Sequence, residues 1–104
     1  NWMGYPTGPV TPGGALPRLL RTYDNLWCDI SAGSGNNALT RDFDFGCSFL
    51  QEFQDRVLFG TDICQCPQRV EQVETMNRAL SEGKITQEAY EKISHLNAEK
   101  LLGL

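Results

Sequence analysis

The sequence predicts an α/β fold built on a pair of parallel strands. Two runs rich in strand-forming residues, Leu26–Ile30 and Arg56–Gly60, flank a segment with helical periodicity. A helix between two strands implies a parallel pair joined by a right-handed crossover. The second run is apolar almost throughout, as expected of a strand buried on both faces. The remainder of the chain has helical periodicity, so we expect two strands and four to five helices.

The first 14 residues are predicted to form a loop, because they contain four glycines and three prolines. The chain opens at Asn1 rather than at a methionine, which is typical of the interior of a longer sequence. A short helix follows. Pro17 is tolerated only in its first turn, and Asp24 and Asn25 end it. Its apolar face has the spacing i, i+3, i+4 and i+7 and consists of Leu16, Leu19, Leu20 and Tyr23.

The first strand is predicted to end in a loop over residues 31–41, because this segment is rich in glycine, serine and asparagine. Asp42 is a good N-cap for the helix that connects the strands, and Gln54 and Asp55 end that helix before the second strand. Its inward face is predicted to consist of Phe45, Phe49, Leu50 and Phe53.

Two further helical segments are predicted after the second strand. The first begins near Pro67, stops at Gly83 and turns inward Val70, Val73, Met76 or Asn77, and Leu80. Thr86 caps the second, which turns inward Ala89, Tyr90 and Ile93. Ala98, Leu101 and Leu102 then form a last turn or two before the C-terminal Gly103.

These elements predict one partial domain over residues 1–104. It consists of the loop 1–14, two β/α units over 15–66 and C-terminal helices over 67–104. Two parallel strands leave open edges and a poorly covered sheet, so we expect copies of the chain to associate with one another.

Composition limits the partners of the chain. Its 104 residues fit one small domain, and nine basic against thirteen acidic side chains give a net charge of −4. Nucleic acid and anionic membranes are therefore not expected as partners. No apolar run approaches the roughly 18–20 residues of a membrane span, and the first residues do not resemble a signal peptide.

The four cysteines are expected to be reduced, which favours a cytoplasmic location. Cys28 and Cys47 lie in apolar contexts and are predicted to be buried free thiols. Cys64 and Cys66 form a C-x-C pair beside Pro67, a spacing that suggests metal or redox chemistry. A structural zinc site more often uses two C-x2-C pairs, and this sequence has no second close pair.

Asp62 is the main candidate for a functional residue. It follows the second strand in the segment Phe59-Gly60-Thr61-Asp62, and ligands of parallel α/β folds bind outside the carboxyl ends of the strands. A carboxylate there can ligate a divalent metal or accept a proton from metal-bound water. Position alone equally allows Asp62 to cap the following segment. Ser31 follows the first strand and is expected at the same edge, as a possible contact to substrate.

Other candidates are weaker. Residues 33–38 match the dinucleotide pattern G-x-G-x-x-A, but the segment is polar where the fingerprint requires an apolar helix. Arg41 is positioned to pair with an anionic group of a substrate, although arginines more often lie on the surface without such a role. His95 is the only histidine, and a lone histidine in a helix is more often a surface or packing residue than a ligand.

Three segments together resemble one family. They are NLWCDIS at 25–31, QDRVLFGTD at 54–62 and NAEKLLGL at 97–104. They are similar to the C-terminal portion of metal-dependent hydrolases of the amidohydrolase superfamily, of the amidohydrolase-2 type, a group that includes decarboxylases. The resemblance extends from about residue 15 to the end. It implies a (β/α)8 barrel in which Leu26–Ser31 is the seventh strand and Arg56–Thr61 the eighth.

The resemblance also implies a function. Asp62 matches the aspartate that binds the catalytic metal, usually zinc, and handles the proton of the metal-bound water. The implied reaction on a small-molecule substrate is hydrolysis of a C–N or C–O bond, or non-oxidative decarboxylation.

The chain departs from the family pattern in its histidines. The metal-binding histidines of the family lie on the first, fifth and sixth strands, and His95 does not correspond to any of them. One carboxylate does not hold zinc in the three- or four-ligand set that catalysis needs. We therefore expect an incomplete barrel that is inactive alone. The alternative is a stand-alone oligomeric domain with a binding or structural role.

Overall fold

The two predicted strands pair in parallel in the computed structural model, which describes residues 4–104. Cys28 lies opposite Val57 and Asp29 opposite Leu58. The elements in chain order are α1 (Ala15–Thr22), β1 (Cys28–Asp29), α2 (Ala32–Thr40), α3 (Phe43–Glu52), β2 (Val57–Leu58), α4 (Glu71–Ser81), α5 (Gln87–Glu91), a π-helical turn (Lys92–Leu96) and α6 (Asn97–Leu102).

The predicted α/β class is confirmed. The last three elements run on from one another as one helix, so the described residues contain two parallel strands and five helices. This arrangement fits part of a (β/α)8 barrel. The strands are two residues long, shorter than the five-residue runs that the sequence predicted. Residues 4–14 contain no helix or strand, and the first three residues of the predicted loop lie outside the described residues.

One apolar core joins the strands to the helices. Its buried members come from both strand segments and from all five helices or the turns beside them: Leu20, Ile30, Leu39, Cys47, Leu50, Phe53, Val57, Met76, Ala79, Ile85, Ala89 and Ile93. Cys47 is buried as predicted, whereas Cys28 is only half-buried. All four cysteines are free thiols.

The predicted helix with its apolar face forms as α1, but most of that face is exposed. Leu20 is fully buried, but Leu16, Leu19 and Tyr23 are 42%, 39% and 54% exposed. The periodicity correctly indicates an apolar stripe on a helix. Within residues 4–104, that stripe is therefore only partly covered by the rest of the fold.

The predicted loop over residues 31–41 is also wrong, because most of it forms α2. Glycine lowers helix propensity, yet Gly35 is required here, since a Cβ at this position would collide with the backbone of Ile30. Gly46 in α3 is similarly confined by the carbonyl of Leu39. Helix α2 therefore forms because close packing against its neighbours outweighs a weak local preference.

Three predicted helix ends are confirmed. The carboxylate of Asp42 accepts a hydrogen bond from the Phe45 N–H at 3.3 Å at the start of α3. The hydroxyl of Thr86 accepts one from the Ala89 N–H at 3.1 Å at the start of α5. Gly103 ends α6 in the left-handed conformation, with φ of 73°. Of the residues predicted to face inward from α3, Leu50 and the C-cap Phe53 are buried, and the other two are half-buried.

Helix α4 begins at Glu71, four residues after the predicted start, and turns a different face inward. Its buried side chains are Gln72, Thr75, Met76 and Ala79, of which only Met76 was predicted. Val73 is 46% exposed, and Val70 and Leu80 are half-buried. The buried face is partly polar, so apolar periodicity selected the wrong residues.

The C-terminal helix bonds to the outer edge of β2 through its π-helical turn. The Asn97 N–H bonds to the carbonyl of Lys92 rather than to that of Ile93, as it would in an α-helix. The freed carbonyl of Ile93 accepts the Phe59 N–H at 3.1 Å. The buried side-chain amide of Asn97 donates to the carbonyls of Gln54 at 2.6 Å and Val57 at 2.9 Å.

None of the helices within residues 4–104 combines the length and apolar composition needed to cross a bilayer.

Candidate functional site

The carboxyl ends of the two strands lie side by side. A methyl group added at Gly60, just after β2, would come within 3.1 Å of Ser31 Cβ and 3.9 Å of Asp29 Oδ1. Such a group would make a tight contact, so Ser31 would have to move by a few tenths of an ångström. The polar groups that follow both strands therefore share one edge of the sheet.

Ser31 donates two hydrogen bonds to the Asp29 carboxylate. The backbone N–H of Ser31 donates to Asp29 Oδ1 at 3.0 Å, and its hydroxyl donates to the same oxygen. The hydrogen bond from the hydroxyl and the one from the backbone lower the pKa of the Asp29 carboxyl. Asp29 is therefore a fixed negative charge at this edge.

Asp62 is exposed, and its backbone holds the loop that follows β2. Its carbonyl accepts hydrogen bonds from the Cys64 thiol and from the Gln68 side-chain amide, each at 3.3 Å. Gln68 Oε1 accepts the Cys64 N–H at 3.0 Å, which closes the loop ahead of a cis Cys66–Pro67 peptide bond. Among the described residues, the one hydrogen bond that the Asp62 carboxylate accepts is a long one, from the Cys64 thiol at 3.9 Å. Its oxygens are available to a ligand.

Both strand exits are in the left-handed conformation. Ala32 has φ of 63° and Asp62 has φ of 53°, and no other non-glycine residue within 4–104 has a positive φ. This conformation costs an ordinary L-residue roughly 1–2 kcal/mol, and such strain concentrates at functional sites. The position of the two residues, one after each strand, marks this edge as the candidate site.

Gln72 supports the edge from α4, a role that the sequence did not predict. Its side chain is buried, and its Nε2 donates to the carbonyl of Ile30 at 2.8 Å and to that of Ala32. It thereby fixes the exit of β1 against α4. A glutamine on a helix gives no sequence signal of burial, because its polarity predicts a surface position.

A polar cleft of about 240 Å³ lies between the strand exits and the start of α4. Its charged lining residues carry opposite signs, and Arg69 already pairs with Glu74 at 2.5 Å. The cleft is lined by Ala32, Gly33, Thr61, Gln68, Arg69, Glu71 and Gln72.

Arg41 lies at the other end of α2 from Ser31. The rise along the nine residues of α2 separates its backbone from the strand exit by about 13 Å. Its guanidinium donates to the carbonyls of Gly8 at 3.1 Å and Pro9 at 3.2 Å. Its present contacts therefore hold the N-terminal loop, and its role toward a substrate stays a prediction.

The glycine pattern at 33–38 lies inside α2. The helix begins at Ala32, so Gly33 belongs to its first turn, whereas the first glycine of a dinucleotide fingerprint makes the turn before the helix. This geometry does not favour a dinucleotide site.

The described residues do not fit a complete metal site. No group of three or more histidine, cysteine, aspartate or glutamate side chains within residues 4–104 is placed to hold an ion. His95 Nδ1 lies 2.8 Å from Glu99 Oε1 on the surface of the C-terminal helix. Asp62 and Cys64 together supply at most two donors, fewer than catalytic zinc requires.

Comparison with protein families identifies the family of the chain. The family model described as amidohydrolase matches residues 3–104, nearly the whole chain. No curated protein and no solved structure matches the chain.

Proposed function

The chain belongs to the amidohydrolase family, and on that premise we propose that it contributes Asp62 to a metal-dependent hydrolase site for small-molecule substrates. The reaction class is hydrolysis of a C–N or C–O bond, or non-oxidative decarboxylation. The observation that carries the proposal is the exposed Asp62 carboxylate after β2, at the sheet edge where both strands are followed by a left-handed residue.

In this proposal, Asp62 acts either as a metal ligand or as a proton acceptor. Its free carboxylate oxygens serve as one ligand of a divalent metal, zinc in the first place, or accept a proton from water. The described residues lack the rest of the ligand set. The remaining ligands come from outside these 104 residues, and the chain alone is inactive.

Ser31 and Arg41 are the proposed contacts to substrate. The Ser31 hydroxyl lies at the same edge as Asp62, and turning it away from Asp29 frees it to bond a polar group. Arg41 requires a larger change, because it must release the carbonyls of Gly8 and Pro9 first.

Paramagnetic Co²⁺ tests Asp62 as a ligand, because line broadening in NMR spectra detects and locates even weak binding. We expect Co²⁺ to broaden the amide signals of residues 60–64 first, and Asp62→Asn to abolish that pattern. Asp24→Asn, a change in an exposed turn, is the control and is expected to have no effect. Broadening that persists in Asp62→Asn, or that centres on His95 and Glu99, would contradict the proposal.

A second function is favoured by the buried core and by the bonding of β2. We propose as the alternative that the chain is a stand-alone oligomeric domain with a binding or structural role. The C-terminal helix satisfies backbone groups on the outer edge of β2, which protects that edge without a further strand. Light scattering tests this alternative, since a monomer at every concentration would exclude it.

A further inference from the structure

The side-chain oxygen of Gln72 accepts no hydrogen bond from any donor within residues 4–104. Gln72 is 2% exposed, and its Nε2 donates to the carbonyls of Ile30 and Ala32, which uses both of its hydrogens. Turning the amide over would place Oε1 against those two carbonyl oxygens, which have no hydrogen to donate. The orientation of Oε1 is therefore fixed, and it is an unused acceptor.

This oxygen opens into the polar cleft between the strand exits and α4. Within residues 4–104, no fully buried side-chain nitrogen or oxygen lacks a hydrogen-bond partner, so the unpartnered Oε1 is not sealed in the core. Gln72 lines the cleft of about 240 Å³, and the other walls are the exits of both strands and the loop before α4. An acceptor held rigidly in the wall of a cleft fits a ligand that donates a hydrogen bond.

The charge around the cleft favours a cationic donor. Asn36 donates to Oε2 of Glu71 at 3.1 Å, and Oε1 of Glu71 accepts no hydrogen bond within residues 4–104. Arg69 donates to both carboxylate oxygens of Glu74 at 2.5 Å, which compensates its positive charge. The carboxylate of Glu71 remains as the uncompensated charge of the lining. An ammonium group matches this wall, because it has three donors and a positive charge.

We propose that the cleft binds an ammonium group of the substrate, with Gln72 Oε1 and the Glu71 carboxylate as acceptors. The inference rests on the proposed function and names a class of substrate for it, small molecules that carry a primary amine. Thr61 lines the cleft and is followed directly by Asp62. An ammonium group in the cleft thus anchors one end of the substrate beside the edge that carries Asp62.

NMR titration with three small ions tests the cleft on the chain without added metal. The ion n-propylammonium has both the charge and the donors, tetramethylammonium has the charge without an N–H donor, and propionate has the opposite charge. We expect n-propylammonium to shift the Gln72 side-chain amide signals and the Gly33 and Thr61 backbone amide signals along one saturable curve. We expect the other two ions to bind there at least about tenfold more weakly.

Substitutions in the wall test the two acceptors separately, with the Gly33 and Thr61 signals as the readout. Gln72→Met removes the acceptor with little change in side-chain length, and we expect at least about a tenfold loss of n-propylammonium affinity. Glu71→Gln removes the charge, and because Glu71 is exposed we expect a loss of about threefold. Glu91→Gln, the same change at an exposed position of α5 outside the cleft, is expected to leave the affinity unchanged.

Three results would overturn the ammonium site. They are the absence of saturable n-propylammonium binding, equal or tighter binding of tetramethylammonium or propionate, and an affinity that neither Gln72→Met nor Glu71→Gln lowers. If Gln72→Met does not fold, the comparison of the three ions and Glu71→Gln decide.

The Co²⁺ test of Asp62 is independent of this titration. A failed Co²⁺ test with n-propylammonium binding intact overturns the proposed function and leaves an ammonium-binding cleft without a catalytic role. The reverse pair of results overturns the cleft alone.

Discussion

Strand β2 is held by a half-buried and a buried side chain at its amino end, and the loop after its carboxyl end is held by an exposed one. At the amino end, the Arg56 guanidinium donates to the carbonyls of Leu20, Tyr23 and Leu26 at 2.6, 2.7 and 3.3 Å. The amide of Asn97 donates to the carbonyls of Gln54 and Val57 there. At the carboxyl end, the loop after Asp62 is closed by the exposed side chain of Gln68.

The amino end of β2 therefore serves stability, and its carboxyl end, which leads to Asp62, serves function. A buried hydrogen bond is costly to lose because the orphaned group has no water to replace its partner. An exposed one is replaced by solvent at little cost. The end of β2 that carries Asp62 can therefore change its side chains freely, while the other end maintains the fold.

Asn97→Ala is expected to cause the largest loss of stability and so tests the comparison of the two ends most directly. Asn97 and Gln68 each bond two backbone groups through one amide, but only Asn97 is buried. We expect Asn97→Ala to lower the free energy of unfolding by about 2–4 kcal/mol, as measured by urea denaturation. The matched Gln68→Ala is expected to cost less than about 0.5 kcal/mol. Similar losses in both variants would break the comparison.

Arg56→Lys is expected to have the next largest effect. A lysine ammonium does not reproduce the planar fork that reaches three carbonyls, so we expect a loss of about 1–2 kcal/mol in the same measurement. Arg69→Lys, at the exposed pair with Glu74, serves as the control and is expected to leave the urea midpoint unchanged. An unchanged midpoint in Arg56→Lys would show that its three contacts contribute nothing.

A glycine at Ala32 is expected to have a smaller effect of the opposite sign. Ala32 has φ of 63°, a conformation that glycine adopts without strain. We expect Ala32→Gly to stabilise the chain by about 0.5 kcal/mol, after the entropy that glycine loses on folding is subtracted. Ala38→Gly, in the last turn of the same helix, is expected to destabilise it by up to about 1 kcal/mol. A loss at both positions would show that the exit of β1 is unstrained.

The smallest change in stability is expected for Ser31→Ala, whose effect appears in the pKa of Asp29. The lowered pKa of Asp29 stabilises the fold above the unfolded value of about 3.9, and this contribution is lost as the pH falls through the folded pKa. Removing the hydroxyl raises that pKa toward its ordinary range, so acid unfolding begins at a higher pH. NMR titration of the Asp29 carboxyl measures the pKa, with Ser48→Ala as a control on the surface of α3. An unmoved pKa would remove Ser31 as its cause.

The sequence predicts those parts of the fold that depend on local chemistry. The parallel pair follows from one helix between two strand-like runs, and the caps at Asp42 and Thr86 follow from side chains that accept hydrogen bonds from their own helix. The family follows from segments with specific residues, because those segments carry more information than periodicity does.

Features that depend on distant partners are not predictable in this way. Helix α2 contains glycines that disfavour helix, and it forms because Gly35 fits against Ile30. Gln72 is buried because two distant carbonyls need a donor, which its own neighbours in sequence do not reveal. At the site, the sequence indicated Asp62 and Ser31, but the left-handed Ala32 gave no signal, since nothing about an alanine suggests that conformation.

The π-helical turn also sets how the end of the chain unravels. Leu101 and Leu102 are 51% and 70% exposed, so little holds the last turns of the helix in place. Fraying from the C-terminus stops at Asn97, because going further breaks bonds to β2. Amide protons beyond Asn97 should therefore exchange rapidly with solvent. The Phe59 amide proton exchanges only when its hydrogen bond to the Ile93 carbonyl breaks. The C-terminal helix thus has two parts. The residues after Asn97 fray independently, and the residues up to Asn97 unfold only together with β2.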